Sequence, residues 1–453
     1  MDASRNAHFV RDSLPPGGLF ADQHWRIAPA PFPLEKDLAE ELETMGRVLL
    51  QFYRAVNLLY RRSVEGKAPE WVAQLLDQGK PAELIALQRH AAFKQEVPRV
   101  IRPDALLTEG GFMISELDSV PGGIGLTQWL NQTYEEVRTS PVHLADELHM
   151  ATAPVIGGLG GMKDGFMQIF GEAKRICVVV SEESAGYRPE MEWFAANHGG
   201  GRMKVVDQQF AEFEPGDAVY RFFELFDLPN VPNAYPLFNR AAEKTIRVTP
   251  PPKPIFEEKL LFALLWNRNL HGYFRQELGE GFLKRLLKVV PQTWVMDPSP
   301  LPPHAAYPGL DITDWRQLES LSQKERDLIL KVSGFSPEAW GARGVYLGSD
   351  LSSADWAVAV QKAIQGWPGT VHVLQRYHKP RSVASQYYDF EKGTTVPMPG
   401  RVRLCPYYFV VGEGDAAKPK LGGVLATICP ADKKIIHGMK DAILAPCSVE
   451  ESK

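Results

Sequence analysis

At 453 residues, with 44% hydrophobic and 23% charged positions, the chain is long enough for a large core shared among two or three lobes. A net charge of -5 leaves no basic surplus to drive binding to nucleic acid or an anionic membrane, and no window reaches the ~18 apolar residues that a membrane helix needs. The four cysteines, Cys177, Cys405, Cys429 and Cys447, show no C-x-x-C spacing and the first residues form no apolar leader, so the expectation is reduced thiols and a cytoplasmic protein.

Residues 34–62 keep apolar side chains at three-to-four spacing and predict a long amphipathic helix, followed by shorter ones over 70–78 and 82–94. The next stretch, "IRPDALLTEGGFMISELDSVPGG", reads as a hairpin. Its first strand is 101–108, its turn is Glu109-Gly110-Gly111, and its second strand is 112–118. That loop length sets Asp104 opposite Glu116 and Arg102 opposite Asp118, all on one face, with Ala105, Leu107, Met113 and Leu117 on the other. Like charges directly opposed destabilise a sheet unless a cation lies between them, and a hard oxygen-seeking ion such as Mg2+ or Mn2+ suits carboxylates. The alternative is a solvated strand face on which Arg102 neutralises one carboxylate.

A helix follows in "GIGLTQWLNQTYEEV", and the run "GGLGG" at 157–161 reads as a loop because it lacks the G-x-G-x-x-G spacing of a dinucleotide fold. From residue 174 a strand, a helix and two further strands ("RICVVVSEES", "YRPEMEWFAANH", "RMKVVDQQF", "AVYRFFELFDL") form an α/β unit. Proline-dense runs at 248–256 and 291–308 read as linkers or loops. The last third is strand-rich, with segments around 328, 343, 372, 403 and 420 and one helix over 353–364.

Two lysines draw attention within this outline. Lys331 ends an apolar strand and precedes "VSGFSPEAWGARGVYLG", whose glycines would let backbone N-H groups approach phosphate oxygens. No P-loop motif is present, so an ordinary glycine-containing hairpin with a snorkelling lysine is the competing reading. Lys259 in "FEEKLLFALLW" is placed on a helix, where a solvated lysine is the common outcome. "VLQRYHKP" is a strand whose polar end suits a hinge against a purine edge. The scattered histidines and the lack of G-x-S-x-G argue against a zinc enzyme or a serine hydrolase.

The order R-x-D, eleven residues, E-x-D, an α/β unit, a helix lysine, and a strand lysine followed by a glycine/arginine loop resembles the glutathionylspermidine synthetase-like ATP-grasp ligases. The resemblance covers residues 101 to the C-terminus. It implies an α/β (α+β) ATP-grasp-like fold in circularly permuted order, with an α/β pre-ATP-grasp-like lobe and a helical N-terminal region. The corresponding domains are 1–100, 101–150, 151–250 and 251–453.

The same resemblance implies a Mg2+- or Mn2+-dependent reaction of ATP with a carboxylate and an amine (amino acid, peptide or polyamine-like), through an acyl phosphate to an amide. Asp104, Glu116 and Asp118 would ligate the metal, and Arg102 and Arg343 would stabilise reacting charge. Lys259, Lys331, Gly341, Gly344, Gln375, Arg376 and Tyr377 would bind ATP, and Arg403 and His437 would face the acceptor. Asp118 stands where the family commonly has Asn. No cysteine precedes Cys177, so the cysteine amidase of bifunctional members is not expected. A phosphotransferase and a non-catalytic nucleotide-binding protein are the competing classes.

Overall fold

The computed structural model describes residues 3–139, 153–341, 343–433, 436 and 439–450. They fall into two units: 1–51, 90–251 and 380–453 form the first, and 52–89 with 252–379 form the second. The elements used below are, in chain order, α1 (Lys36–Val64), α2 (Glu70–Asp77), α3 (Ala82–Arg89), β1 (Val100–Thr108), β2 (Gly111–Asp118), α4 (Ile124–Thr139), β3 (Ile176–Val180), α5 (Arg188–His198), β4 (Met203–Asp207), β5 (Ala218–Phe222), β6 (Arg247–Thr249), α6 (Leu260–Trp266), β7 (Thr293–Val295), β8 (Leu328–Val332), β9 (Val345–Leu347), α7 (Ser353–Gly366), β10 (His372–Arg376), β11 (Gly400–Val411), β12 (Lys418–Pro430) and β13 (Ile443–Val449).

The first unit is built on a sheet whose order is Arg26–Ile27, β13, β12, β11, β1, β2. The charged hairpin, early in the sequence, thus pairs with strands from the chain's end: β1 runs antiparallel to β11, with Arg403 opposite Leu106 and Leu404 opposite Ala105. A second sheet, wholly parallel, has the order β4, β3, β5, β6. Its strands Ile176–Val180 and Ala218–Phe222 are buried along their whole length, as parallel strands covered on both faces must be. Phe166, Phe194, Tyr220 and Phe409 meet in the main core of this unit. The 157–161 run is a turn entering a helix over Gly161–Gln168. A Cβ on Gly157 would lie 1.9 Å from the Gly422 carbonyl oxygen, so the glycine there allows two backbones to touch.

The hairpin reaches the expected pairing by a different route. Its turn is one residue tighter, with Thr108 paired to Gly111, and an extra residue at Ser115 forms a bulge between the Ala105–Ile114 and Asp104–Glu116 pairs. The two departures cancel at the open end, where Arg102 faces Asp118 and Asp104 faces Glu116. They do not cancel near the turn. Met113 lies opposite Leu106, on the charged side, while Phe112 and Ile114 take the buried face with Ala105 and Leu107, so the placing of Met113 is corrected.

The second unit holds an antiparallel sheet of order β9, β8, β10, β7, packed on α7 through Trp294, Leu330, Trp356 and Leu374. Strand β7 lies inside the second proline run, which is therefore not all loop: Thr293 to Val295 pair with β10. The helix expected over 82–94 stops at Arg89 and gives way to a 3-10 turn over Ala91–Phe93. The segment expected as one strand from Ala218 ends at Phe222, and Leu225–Asn230 is a 3-10 helix. β13 had no counterpart in the sequence reading.

Candidate functional site

Alternation along β11 sends Arg403, Cys405 and Tyr407 to the charged face of the hairpin, and each finds a partner there. Arg403 Nη1 donates to Asp104 Oδ2 at 3.0 Å, and the Cys405 thiol lies 3.5 Å from Asp104 Oδ1. Tyr407 donates its hydroxyl to the Gly122 carbonyl at 2.7 Å. Arg102 gathers the rest: its Nε donates to Asp104 Oδ1 at 3.1 Å, its Nη2 lies 2.9 Å from Asp118 Oδ2, and its Nη1 reaches the Gly122 carbonyl at 3.1 Å. Asp118 Oδ1 accepts the Val120 amide at 2.9 Å.

Asp104 is 3% exposed as a side chain, against 13% and 14% for Arg102 and Arg403, so this is a desolvated network. Burial works against the Arg102 and Arg403 charges, yet the carboxylates beside them hold both guanidinium pKa values above the ordinary range. Burial pushes the Asp118 carboxyl up, and Arg102 pulls it back. Burial and Asp104 together push the Cys405 thiol up to about 12, which makes it an inert, protonated donor.

The glycine loop beneath the network is held by Glu190 on α5. Its two oxygens accept the Gly123 and Leu126 amides at 2.7 and 2.8 Å, occupying the N-terminus of α4. Burial raises the Glu190 carboxyl to about 7, while those amides act in the opposite sense. Gly122 and Gly125 leave no room for a side chain, since a Cβ would lie 2.1 Å from the Tyr187 ring and 2.2 Å from the Glu190 carbonyl oxygen.

Asp104, Glu116 and Asp118 therefore share one face, but they do not form an open cage for a divalent cation. Each Asp104 oxygen faces a guanidinium, and one Asp118 oxygen does too. Among the described residues no group of three or more His, Cys, Asp or Glu side chains is disposed to hold a metal ion.

In the second unit Lys331, 5% exposed on β8, donates to Gln375 Oε1 at 2.9 Å, and Gln375 Nε2 donates to Thr293 Oγ1 at 3.1 Å. The pairing of Ile329 with Gln375 and of Lys331 with Val373 makes lysine and glutamine diagonal neighbours on one face. Lys259 stands at the N-cap of α6 instead of within a helix, and its ammonium donates to the Ala339 carbonyl at 2.9 Å.

Ala339 belongs to the same loop as Gly341, Arg343 and Gly344. Gly341 has φ +66, and a Cβ on Gly344 would lie 2.7 Å from the Glu338 carbonyl oxygen. Arg343 is exposed, with its guanidinium 5.2 Å from the Trp340 ring centre. Arg376 donates to the Gly309 carbonyl at 2.8 Å, and the Tyr377 amide to Asp327. His437 lies outside the described residues.

The structure thus brings Arg102, Asp104, Asp118 and Arg403 together in the first unit, and Lys331 with Gln375 in the second. Cys405, Tyr407 and Glu190 escaped the sequence reading. The alternation R-x-C-x-Y over 403–407 carried a usable signal for the first two, whereas Glu190 reads as one more polar residue of a helix.

Two sheets with helices, a charged hairpin joined to C-terminal strands and a lysine-bearing antiparallel sheet make up a mixed α/β fold, and that fold is shared with a solved glutathione synthetase-like protein. Among solved structures, the chain is similar to a glutathione synthetase-like effector from Globodera pallida in its apo form. The TM-score is 0.56 at 11% identity, over 99% of this chain and 95% of the other. A provisionally assigned gamma-glutamylcysteine synthetase from Methylobacillus flagellatus gives a TM-score of 0.40 at 10% identity, over 88% of each chain. No protein-family model matches the sequence, and neither does any curated protein.

Proposed function

We propose that the protein is an ATP-dependent ligase that joins a small-molecule carboxylate to an amine. The observation that carries the reading is the hairpin register, which puts Arg102, Asp104, Glu116 and Asp118 on one face and adds Arg403 from a distant strand. In this reading the substrate carboxylate attacks the γ-phosphorus of ATP, the bond to the bridging oxygen breaks, and ADP leaves. The amine then attacks the acyl phosphate and inorganic phosphate departs, leaving an amide.

Arg102 and Arg403, held by Asp104, would orient the anionic substrate and stabilise charge at the reacting carbonyl. Lys259 and Lys331 would neutralise phosphate oxygens, and the Gly341–Gly344 loop with Arg343 would cover the transferred group. Gln375, Arg376 and Tyr377 would border the base. The order of hairpin before lysines is, on this reading, a circular permutation of the ATP-grasp elements. The four buried free cysteines suit a reducing cytoplasm.

The saturated Asp104 favours a second reading, in which the chain binds a nucleotide without turning it over. ADP release against a panel of amino acids, peptides and polyamines separates the two. A ligase releases ADP only with a matching carboxylate, and faster once the amine is added; a binding protein releases none.

A further inference from the structure

Segment 52–89 of the second unit is fastened to the short stretch that leads into α6 by three polar contacts. Asn57 accepts a hydrogen bond from the Lys253 ammonium, Gln88 Oε1 accepts the Ile255 amide at 3.1 Å, and Lys80 Nζ lies 2.5 Å from Glu258 Oε1. The third contact differs from the others because both side chains are 2% exposed. Desolvation cancels much of the attraction in such a pair, so it adds little net stability. What it does fix is geometry.

The second oxygen of Glu258 accepts from the Ser333 hydroxyl, and that hydroxyl accepts the Leu260 amide at 3.0 Å. Ser333 follows β8, two residues after Lys331. Its carbonyl takes the Lys259 amide at 3.3 Å and lies 3.4 Å from the Lys259 ammonium. The next residue is seated directly on the same carboxylate: a Cβ on Gly334 would lie 2.6 Å from the Glu257 carbonyl oxygen and 2.9 Å from Glu258 Cδ. One continuous chain of contacts therefore runs from Lys80 through Glu258 and Ser333 to Lys259 and the start of the 334–341 loop. Lys80 itself sits in the α2–α3 turn, where Gly79 (φ +74) packs on the Gly369 carbonyl.

We infer that Lys80 and Glu258 are positioning residues for the polyphosphate end of a nucleotide, acting through Ser333 on Lys259 and the loop after β8. This rests on the proposed reading of Lys259 and Lys331 as phosphate contacts, and it gives the helical segment before the hairpin a part in the nucleotide site. On that reading the pair acts on the phosphate contacts and not on the residues assigned to the base, so its loss should weaken ATP and spare adenosine.

The test is calorimetry of the full chain with ATP and with adenosine. Lys80→Met should lower ATP affinity about 10-fold, the scale of one weakened charge-assisted contact, and leave adenosine within about 2-fold. Lys80→Met with Glu258→Leu removes both buried charges, so the unfolding midpoint should return toward wild type. ATP affinity should stay about 10-fold low, because with Glu258→Leu the Ser333 hydroxyl loses its acceptor. That double variant carries the test if the single one does not fold. Recovery of ATP affinity along with the midpoint, or equal weakening of both ligands, would overturn the inference and leave the pair a purely structural one. A wild-type chain that binds no ATP would instead defeat the phosphate reading of Lys259 and Lys331, and this inference with it.

Discussion

The hairpin network makes opposite predictions for Asp104 depending on what it faces. A carboxylate waiting among other carboxylates for a cation gains from neutralisation in metal-free buffer, because repulsion is relieved. A carboxylate gripped by two guanidiniums loses. Here Oδ1 and Oδ2 face Arg102 and Arg403 at 3.1 and 3.0 Å, and Asp104 is 3% exposed. Breaking a buried pair by removing one partner costs about 3–5 kcal/mol. Asp104→Asn keeps one acceptor oxygen, and Arg102 retains Asp118 and the Gly122 carbonyl, so the loss falls mainly on Arg403 and should be about 2–3 kcal/mol. With a urea slope of about 3 kcal/mol/M, that is a midpoint drop of about 0.7 M or more at constant slope, measured with EDTA present. An unchanged or higher midpoint would refute the arginine-clamp account and restore Asp104 as an open cation ligand.

Three further outcomes follow from the same geometry. Lys331→Ala should weaken ATP by roughly 1.5–3 kcal/mol and leave adenosine unaffected, as calorimetry would show; equal losses would make Lys331 a support for Gln375 only. The Glu190 carboxyl, raised by burial from 4.5 to about 7, takes up a proton on folding between those values. Stability should therefore decline by up to about 3 kcal/mol as pH rises across that window and then level off. In Glu190→Gln the decline should flatten, and an unaltered pH profile would count against the burial argument. Gly157→Ala places a methyl 1.9 Å from a backbone oxygen at φ +88, so the melting temperature should fall by several degrees, whereas the same change at Gly158, with φ +53 but nothing within 4 Å, should cost less.

How far the sequence could be read depended on whether a feature was local. Helix α1 was legible because its apolar spacing repeats over many turns, and β3 because a parallel strand buried on both faces is continuously apolar. The pairing of Arg102 with Asp118 was also legible, although a tight turn and the Ser115 bulge produced it by cancelling offsets that no pattern of residue types reveals. Contacts between distant segments were the invisible part. Arg403 and Asp104 are 299 residues apart, and Lys80 and Glu258 are 178 apart by their numbering, so neither pairing leaves a trace in spacing. Lys259 shows the same limit on a small scale: its neighbours read as helix, but the residue caps that helix and points its ammonium at the carbonyl of a loop 80 residues on.

Whether an acyl phosphate forms is the most direct question to put to the protein. The full chain would be incubated with ATP, Mg2+, hydroxylamine and a panel of amino acids and peptides, with ADP and hydroxamate measured together. A ligase of the proposed kind yields, for at least one carboxylate, hydroxamate in step with ADP, and loses it in Arg102→Ala while ATP still binds. ADP release with a stable phosphorylated product and no hydroxamate, or no ADP across the panel despite ATP binding, would contradict the assignment.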